Sequence, residues 1–102
     1  MKQIAIIAKD IREELEGAEH YAKLATMYKD TDKMLADTYA TMASQELVHV
    51  DALHGQAVRL TREFRAEGNT PPAGMQAVWD WEHEKMVEDM TRVKMMLDIY
   101  KK

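Results

Sequence analysis

Apolar residues recur in alternating steps of three and four along almost the whole chain, which is the spacing of one face of an α-helix. Two polar stretches interrupt this pattern, "YKDTDK" at residues 28–33 and "EGNTPPAG" at residues 67–74. Glycine, proline, asparagine and aspartate in such clusters are typical of turns. The pattern therefore predicts three helices, at about residues 3–29, 33–66 and 73–101.

The two connections also predict how the helices are arranged. Thr31 or Asp32 is the expected N-cap of the second helix, and Gly68 is its expected C-terminal stop. A short turn between the first two helices favours an antiparallel hairpin. The second connection is too short to cross a bundle about 50 Å long, so the third helix should run back antiparallel to the second. The predicted fold class is all-α, a helical hairpin plus a third helix, in one domain spanning residues 1–102.

Each predicted helix carries one narrow apolar stripe, and polar residues occupy a few of its positions. Glu14 interrupts the first stripe, Glu46 and His49 interrupt the second, and Glu82 interrupts the third. An unpaired carboxylate is costly to bury, so these groups should have partners. The apolar positions are Ile4, Ile7, Ile11, Ala18, Tyr21, Ala25 and Tyr28, then Leu35, Tyr39, Met42, Leu53, Ala57, Leu60 and Phe64, then Met75, Trp79, Met86, Met90, Val93, Leu97 and Tyr100.

Glu14, Glu46 and His49 are predicted to meet at one level of the hairpin. Glu14 lies 17 residues before residue 31, and the other two lie 15 and 18 residues after it. At a rise of ~1.5 Å per residue, all three are roughly 25 Å from the turn. Glu46 and His49 share a helix face because they are three residues apart. Two carboxylates and an imidazole at one level indicate a bound cation, and their ligand character suits iron or manganese.

Composition narrows the remaining classes of function. The chain has 102 residues with a net charge of −4, and it contains no cysteine, which excludes disulfides and thiol catalysis. No basic stripe favours nucleic-acid binding, and no apolar run approaches the ~20 residues of a membrane span. The N-terminal apolar piece meets a charge at Lys9, so it is not expected to be a signal peptide, and a cytoplasmic location is expected.

A family resemblance rests on "EELEGAEHYAKLA" and "ASQELVHVDAL", which together span about half of the chain. Glu-x-x-His on a core-facing helix, with a glutamate from a neighbouring helix, is the half-site of carboxylate-bridged di-iron bundles. The chain resembles the ferritin-like superfamily, in which an aromatic often follows the first ligand glutamate by seven residues, as Tyr21 follows Glu14. Its length and single half-site look most similar to encapsulated ferritins, with rubrerythrin-like proteins as further relatives.

This resemblance implies a site shared between subunits. Two hairpins would pair in a homo-oligomer, bring together two copies of Glu14, Glu46 and His49, and bind two iron ions per dimer, with manganese as the alternative metal. The implied chemistry is ferroxidase-type oxidation of ferrous iron, with no catalytic residue beyond the ligands. Tyr21 and Tyr39 are secondary candidates near the ligands. Glu82 is another, although it is expected to lie about 15 Å from the level of His49 unless a second subunit supplies it.

Two departures from the family pattern are visible. A fourth helix and a second Glu-x-x-His are absent, and the sequence ends "LDIYKK" within the third predicted helix instead of in a shell-targeting tail. A shell protein is therefore an expected partner only by resemblance. Two other hypotheses stay open: a non-enzymatic helical oligomer or adaptor, in which the Glu and His residues are structural or vestigial, and another di-metal oxidase or peroxide scavenger.

Overall fold

The computed structural model describes residues 2–102, which form three α-helices and, within that range, no strand. They are α1 (Lys2–Tyr28), α2 (Lys33–Ala66) and α3 (Ala73–Lys101). The all-α prediction is confirmed, and the helix ends agree with the predicted ones to within one residue. No helix in this part of the chain has a stretch long and apolar enough to cross a membrane.

Local chemistry explains where α2 begins and ends and where α3 begins. The Asp32 carboxylate accepts a hydrogen bond of 3.1 Å from the backbone N–H of Leu35, which satisfies one of the free donors in the first turn of α2. Gly68 follows the end of α2 with φ of 84°, a conformation that glycine adopts without a steric penalty. Pro72 is the N-cap of α3, where a fixed φ is compatible with the start of a helix. The predicted cap and stop of α2 are confirmed.

The helices form an elongated bundle with extents of 57 × 18 × 18 Å. α1 and α2 pack against each other along their lengths as an antiparallel hairpin. α3 packs mainly against α1 and scarcely touches α2. It runs parallel to α1, because Glu82 pairs with Arg12 while Arg92, further along, pairs with Glu19. α3 is therefore antiparallel to α2, as predicted.

The core lies where α3 covers the hairpin, and this corrects the predicted stripe on α2. Leu35, Tyr39, Met42 and Leu53 are only half-buried, because the core forms along the neighbouring side of α2, where side chains of α1 and α3 bury a different set of residues. The stripe predicted on α3 is buried from Met86 onward. The buried residues are Ile4, Ile11, Leu15, Ala18, Ala22 and Ala25 on α1, Ala36, Ala43, Leu47 and Val50 on α2, and Met86, Met90, Val93, Leu97 and Tyr100 on α3.

The hairpin therefore has a second face, which we call the open face. Its residues are Glu14, Gly17, Tyr21, Leu24 and Tyr28 on α1 and Leu35, Tyr39, Met42, Glu46, His49 and Leu53 on α2. On α1 the side chains that pair with α3 are Arg12 and Glu19, and successive residues of a helix turn by about 100°. Glu14 consequently points away from α3. The residues of the open face are half-buried except His49, which is exposed.

Candidate metal centre

Glu14, Glu46 and His49 come together on the open face. Each offers one ligand atom, and these atoms all lie within 4.8 Å of one another. Nδ1 of His49 lies 3.2 Å from Oε2 of Glu14, so its N–H donates a hydrogen bond to that carboxylate. The predicted convergence of these three side chains is confirmed, and the binding of a metal there stays a prediction.

The two helices create this convergence by simple geometry. Glu46 and His49 are three residues apart on α2, so both side chains project from the same side of the helix. Glu14 reaches them from α1, at the level that the antiparallel hairpin gives it. The cluster lies beside the core rather than within it: the side chain of Glu14 is 29% exposed and that of His49 is 57% exposed. The expectation that these groups interrupt buried stripes was wrong for His49, because α3 covers the other face of α2.

The two carboxyl groups are electrostatically coupled. The hydrogen bond from Glu46 lowers the pKa of Glu14; burial opposes this, and the hydrogen bond and charge of His49 support it. The same hydrogen bond to Glu14 raises the pKa of Glu46, with burial and the negative charge of Glu14 acting in the same direction. Because the pKa of Glu46 is raised and that of Glu14 is lowered, Glu46 is the carboxyl group that holds a proton more readily. A cation at this position would replace that proton.

The donor set fits a first-row divalent metal ion. Ligand bonds of about 2.1 Å place two donors at opposite sides of an ion about 4.2 Å apart. Donors already within 4.8 Å need shifts of only a few tenths of an ångström to bind one ion. Carboxylate oxygens with one imidazole form a ligand set that suits iron and manganese. Softer metals prefer sites that are rich in thiolate or imidazole ligands. Three protein ligands leave positions open for water or a second ion.

Gly17 lies next to the Glu46 carboxylate, and the sequence did not predict this position. A Cβ atom built on Gly17 would lie 3.4 Å from Oε2 of Glu46 and 3.7 Å from its Cδ. The absence of a side chain at this position thus leaves room for the Glu46 carboxylate. The available signal was a glycine inside a helix, which costs about 1 kcal/mol relative to alanine, three residues after Glu14.

Tyr21 and Tyr39 pack on each other near the cluster. Their ring centroids are 6.0 Å apart, and Tyr28 continues the stack at 6.2 Å from Tyr39. Among residues 2–102, neither phenol donates a hydrogen bond to Glu14 or Glu46. The two tyrosines, proposed as secondary candidates, therefore extend the open face toward the α1–α2 turn as a packed aromatic layer.

Glu82 does not join the cluster. Its Oε1 lies 2.6 Å from Nη1 of Arg12, on the side of α1 that faces α3. The next residue, His83, contacts the ring of His54, which places Glu82 about 9 Å along the bundle from His49 at a rise of ~1.5 Å per residue. This offset is smaller than the predicted one, but the expectation that Glu82 misses the site within one chain is confirmed.

Comparison of the chain with protein-family models, with curated proteins and with solved structures found no match. The ferritin-like resemblance consequently rests on the sequence motifs of this chain alone.

Proposed function

We propose that this chain is a metal-binding ferritin-like protein in which Glu14, Glu46 and His49 bind iron. The observation that carries the proposal is the convergence of their three ligand atoms within 4.8 Å, from two helices, on a face that α3 leaves uncovered. A cation would relieve the repulsion between the two carboxylates and would accept the imidazole lone pair. Manganese fits the same ligands.

The reaction we propose is the oxidation of ferrous to ferric iron, with ferrous iron as the substrate. Two ferrous ions would together give up two electrons, which with two protons would reduce dioxygen to hydrogen peroxide, or hydrogen peroxide to two water molecules. Glu14 and Glu46 would hold the ions and compensate the added positive charge, and Glu46 would release its proton on binding. The exposure of His49 in the single chain leaves its ring accessible to an ion.

We further propose that two copies share the site. A single chain offers three ligands, whereas two copies facing each other would supply six around two ions. The open face supports this arrangement, because half-buried apolar side chains surround the ligands there, including Tyr21, Tyr39 and Met42. A contiguous apolar patch left uncovered on one face of a protein is typical of an interface.

A second candidate function is a helical oligomer or adaptor whose Glu and His residues are structural. The observation that favours it is the internal hydrogen bond of the cluster, which His49 donates to Glu14. No buried side-chain polar atom lacks a partner in residues 2–102. On this hypothesis the cluster is complete without a metal.

Anaerobic titration with ferrous iron, followed by addition of oxygen, separates the two candidates. The metal proposal expects one iron per chain, followed by an absorbance rise from ferric iron that depends on Glu46 and His49. Asp51→Asn is the matched control, since Asp51 is an exposed carboxylate on α2 outside the cluster. Equal iron binding and equal oxidation by wild type, Glu46→Gln and His49→Ala would reject the proposal and favour the adaptor.

A further inference from the structure

A second cluster of metal-ligating side chains lies on the opposite side of the hairpin, where α2 meets α3. His54 of α2 and His83 of α3 have ring centroids 5.2 Å apart, with the ring planes inclined by 34°. Both line an open groove of about 840 Å³ between the N-terminal halves of α1 and α3 and the C-terminal half of α2. Solvent and ions therefore have access to the pair.

The spacing of the two rings fits a shared ion. With metal–nitrogen bonds of about 2.1 Å and tetrahedral angles, the centroids of two imidazoles on one zinc ion are roughly 5 Å apart. The centroids of His54 and His83 already have this separation, so rotation about their side-chain bonds is the main adjustment needed. Packing of the two rings without a metal ion gives a similar distance, so a zinc titration is needed to distinguish packing from metal binding.

Neither imidazole has a competing partner. Within residues 2–102, His54 and His83 make no hydrogen bond or ion pair, whereas His49 donates to Glu14. Arg12, which also lines the groove, pairs at 2.6 Å with Glu82, the residue before His83. Two nitrogen donors are thus free for an ion.

We propose that His54 and His83 form a second metal site, for a divalent ion that prefers imidazole ligands, with Zn²⁺ as the first choice. Water completes the coordination. The ion links α2 to α3, the two helices that otherwise scarcely touch, and thereby fixes the N-terminal half of α3 on the hairpin. This site uses none of the ligands assigned to iron and does not depend on the proposed function.

Calorimetric titration of the full chain with zinc chloride tests this inference. The background variant Glu46→Gln/His49→Ala removes the first cluster, and in it one zinc equivalent per chain should remain. Adding His54→Ala and His83→Ala should abolish that equivalent. Adding His20→Ala, the matched control at an exposed histidine of α1, should leave it unchanged.

If the variant with both His54→Ala and His83→Ala folds poorly, melting temperatures measured with and without zinc provide a second test. His83 is exposed, so adding His83→Ala alone to the Glu46→Gln/His49→Ala background should preserve the packing and abolish the zinc-dependent rise in melting temperature that this background is expected to keep. An unchanged number of zinc equivalents, or an unchanged zinc-dependent shift after adding His83→Ala, would overturn the site and leave ring packing only. A failure of iron binding at Glu14 would leave both measurements unaffected.

Discussion

Gly17→Ala should raise the stability of the metal-free chain while weakening metal binding. Gly17 is in the interior of α1, where alanine is favoured over glycine by about 0.5–1 kcal/mol. The new methyl group would lie 3.4 Å from Oε2 of Glu46, at the short end of van der Waals contact with a side chain that can move. Because this contact requires little displacement of the Glu46 carboxylate, most of the gain in helix propensity should be retained.

The cost appears when metal binds. Groups that position metal ligands typically change affinity by about 10- to 100-fold when they are altered. We expect Gly17→Ala to lose affinity in this range, because the methyl group occupies space next to one ligand. The gain in stability without metal corresponds to a rise in melting temperature of roughly 2–8 °C for a domain of about 100 residues.

Scanning calorimetry with and without manganese, which avoids oxidation during the scan, measures both effects. Gly55→Ala is the matched control: Gly55 is also inside a helix, and a Cβ built there meets nothing within 4 Å. It should stabilise the chain by a similar amount and leave the metal-dependent shift intact. If Gly17→Ala keeps the full metal-dependent shift, or is less stable than wild type without metal, the assigned role of Gly17 is wrong.

The remaining predictions concern charge, pH and assembly. Glu46→Gln should leave metal-free stability within about 0.5 kcal/mol, because an amide can still donate to Glu14, yet calorimetry should show the metal-dependent shift lost. The hydrogen bond from Tyr100, with help from Lys33, lowers the pKa of Asp37. This stabilisation is present above the unfolded pKa and lost as pH falls through the lowered one; urea titrations should therefore show Asp37→Asn less stable at neutral pH and equal to wild type in strong acid. Light scattering with manganese should give a dimer or a multiple of it, and an 11.8 kDa species would contradict the shared site.

The sequence predicted the three helices and the convergence of Glu14, Glu46 and His49 because both depend on local spacing. Helix ends follow from cap and turn residues, as at Asp32 and Gly68. The level of each ligand follows from a fixed rise per residue and one short turn. Neither the helix ends nor the levels of the ligands depend on which helix faces pack together.

The exposure of the site could not be predicted in this way. α2 carries two neighbouring apolar stripes, one with Leu35 and Met42 and the other with Ala43 and Leu47. Periodicity favours the stripe with the larger side chains, but the stripe with Ala43 and Leu47 is the one that joins the core shared with α1 and α3. That choice depends on tertiary packing, and it is what leaves His49 in solvent.

Anomalous diffraction from a crystal grown with ferrous iron under anaerobic conditions, measured at the iron absorption edge, tests the central claim most directly. We expect the strongest peak per chain within about 2.2 Å of oxygens of Glu14 and Glu46 and of a ring nitrogen of His49. The same peak should be absent from His49→Ala crystals grown in parallel. Strong iron peaks elsewhere with none between these three side chains, or an unchanged peak in His49→Ala, would contradict the assignment of this cluster as the metal centre.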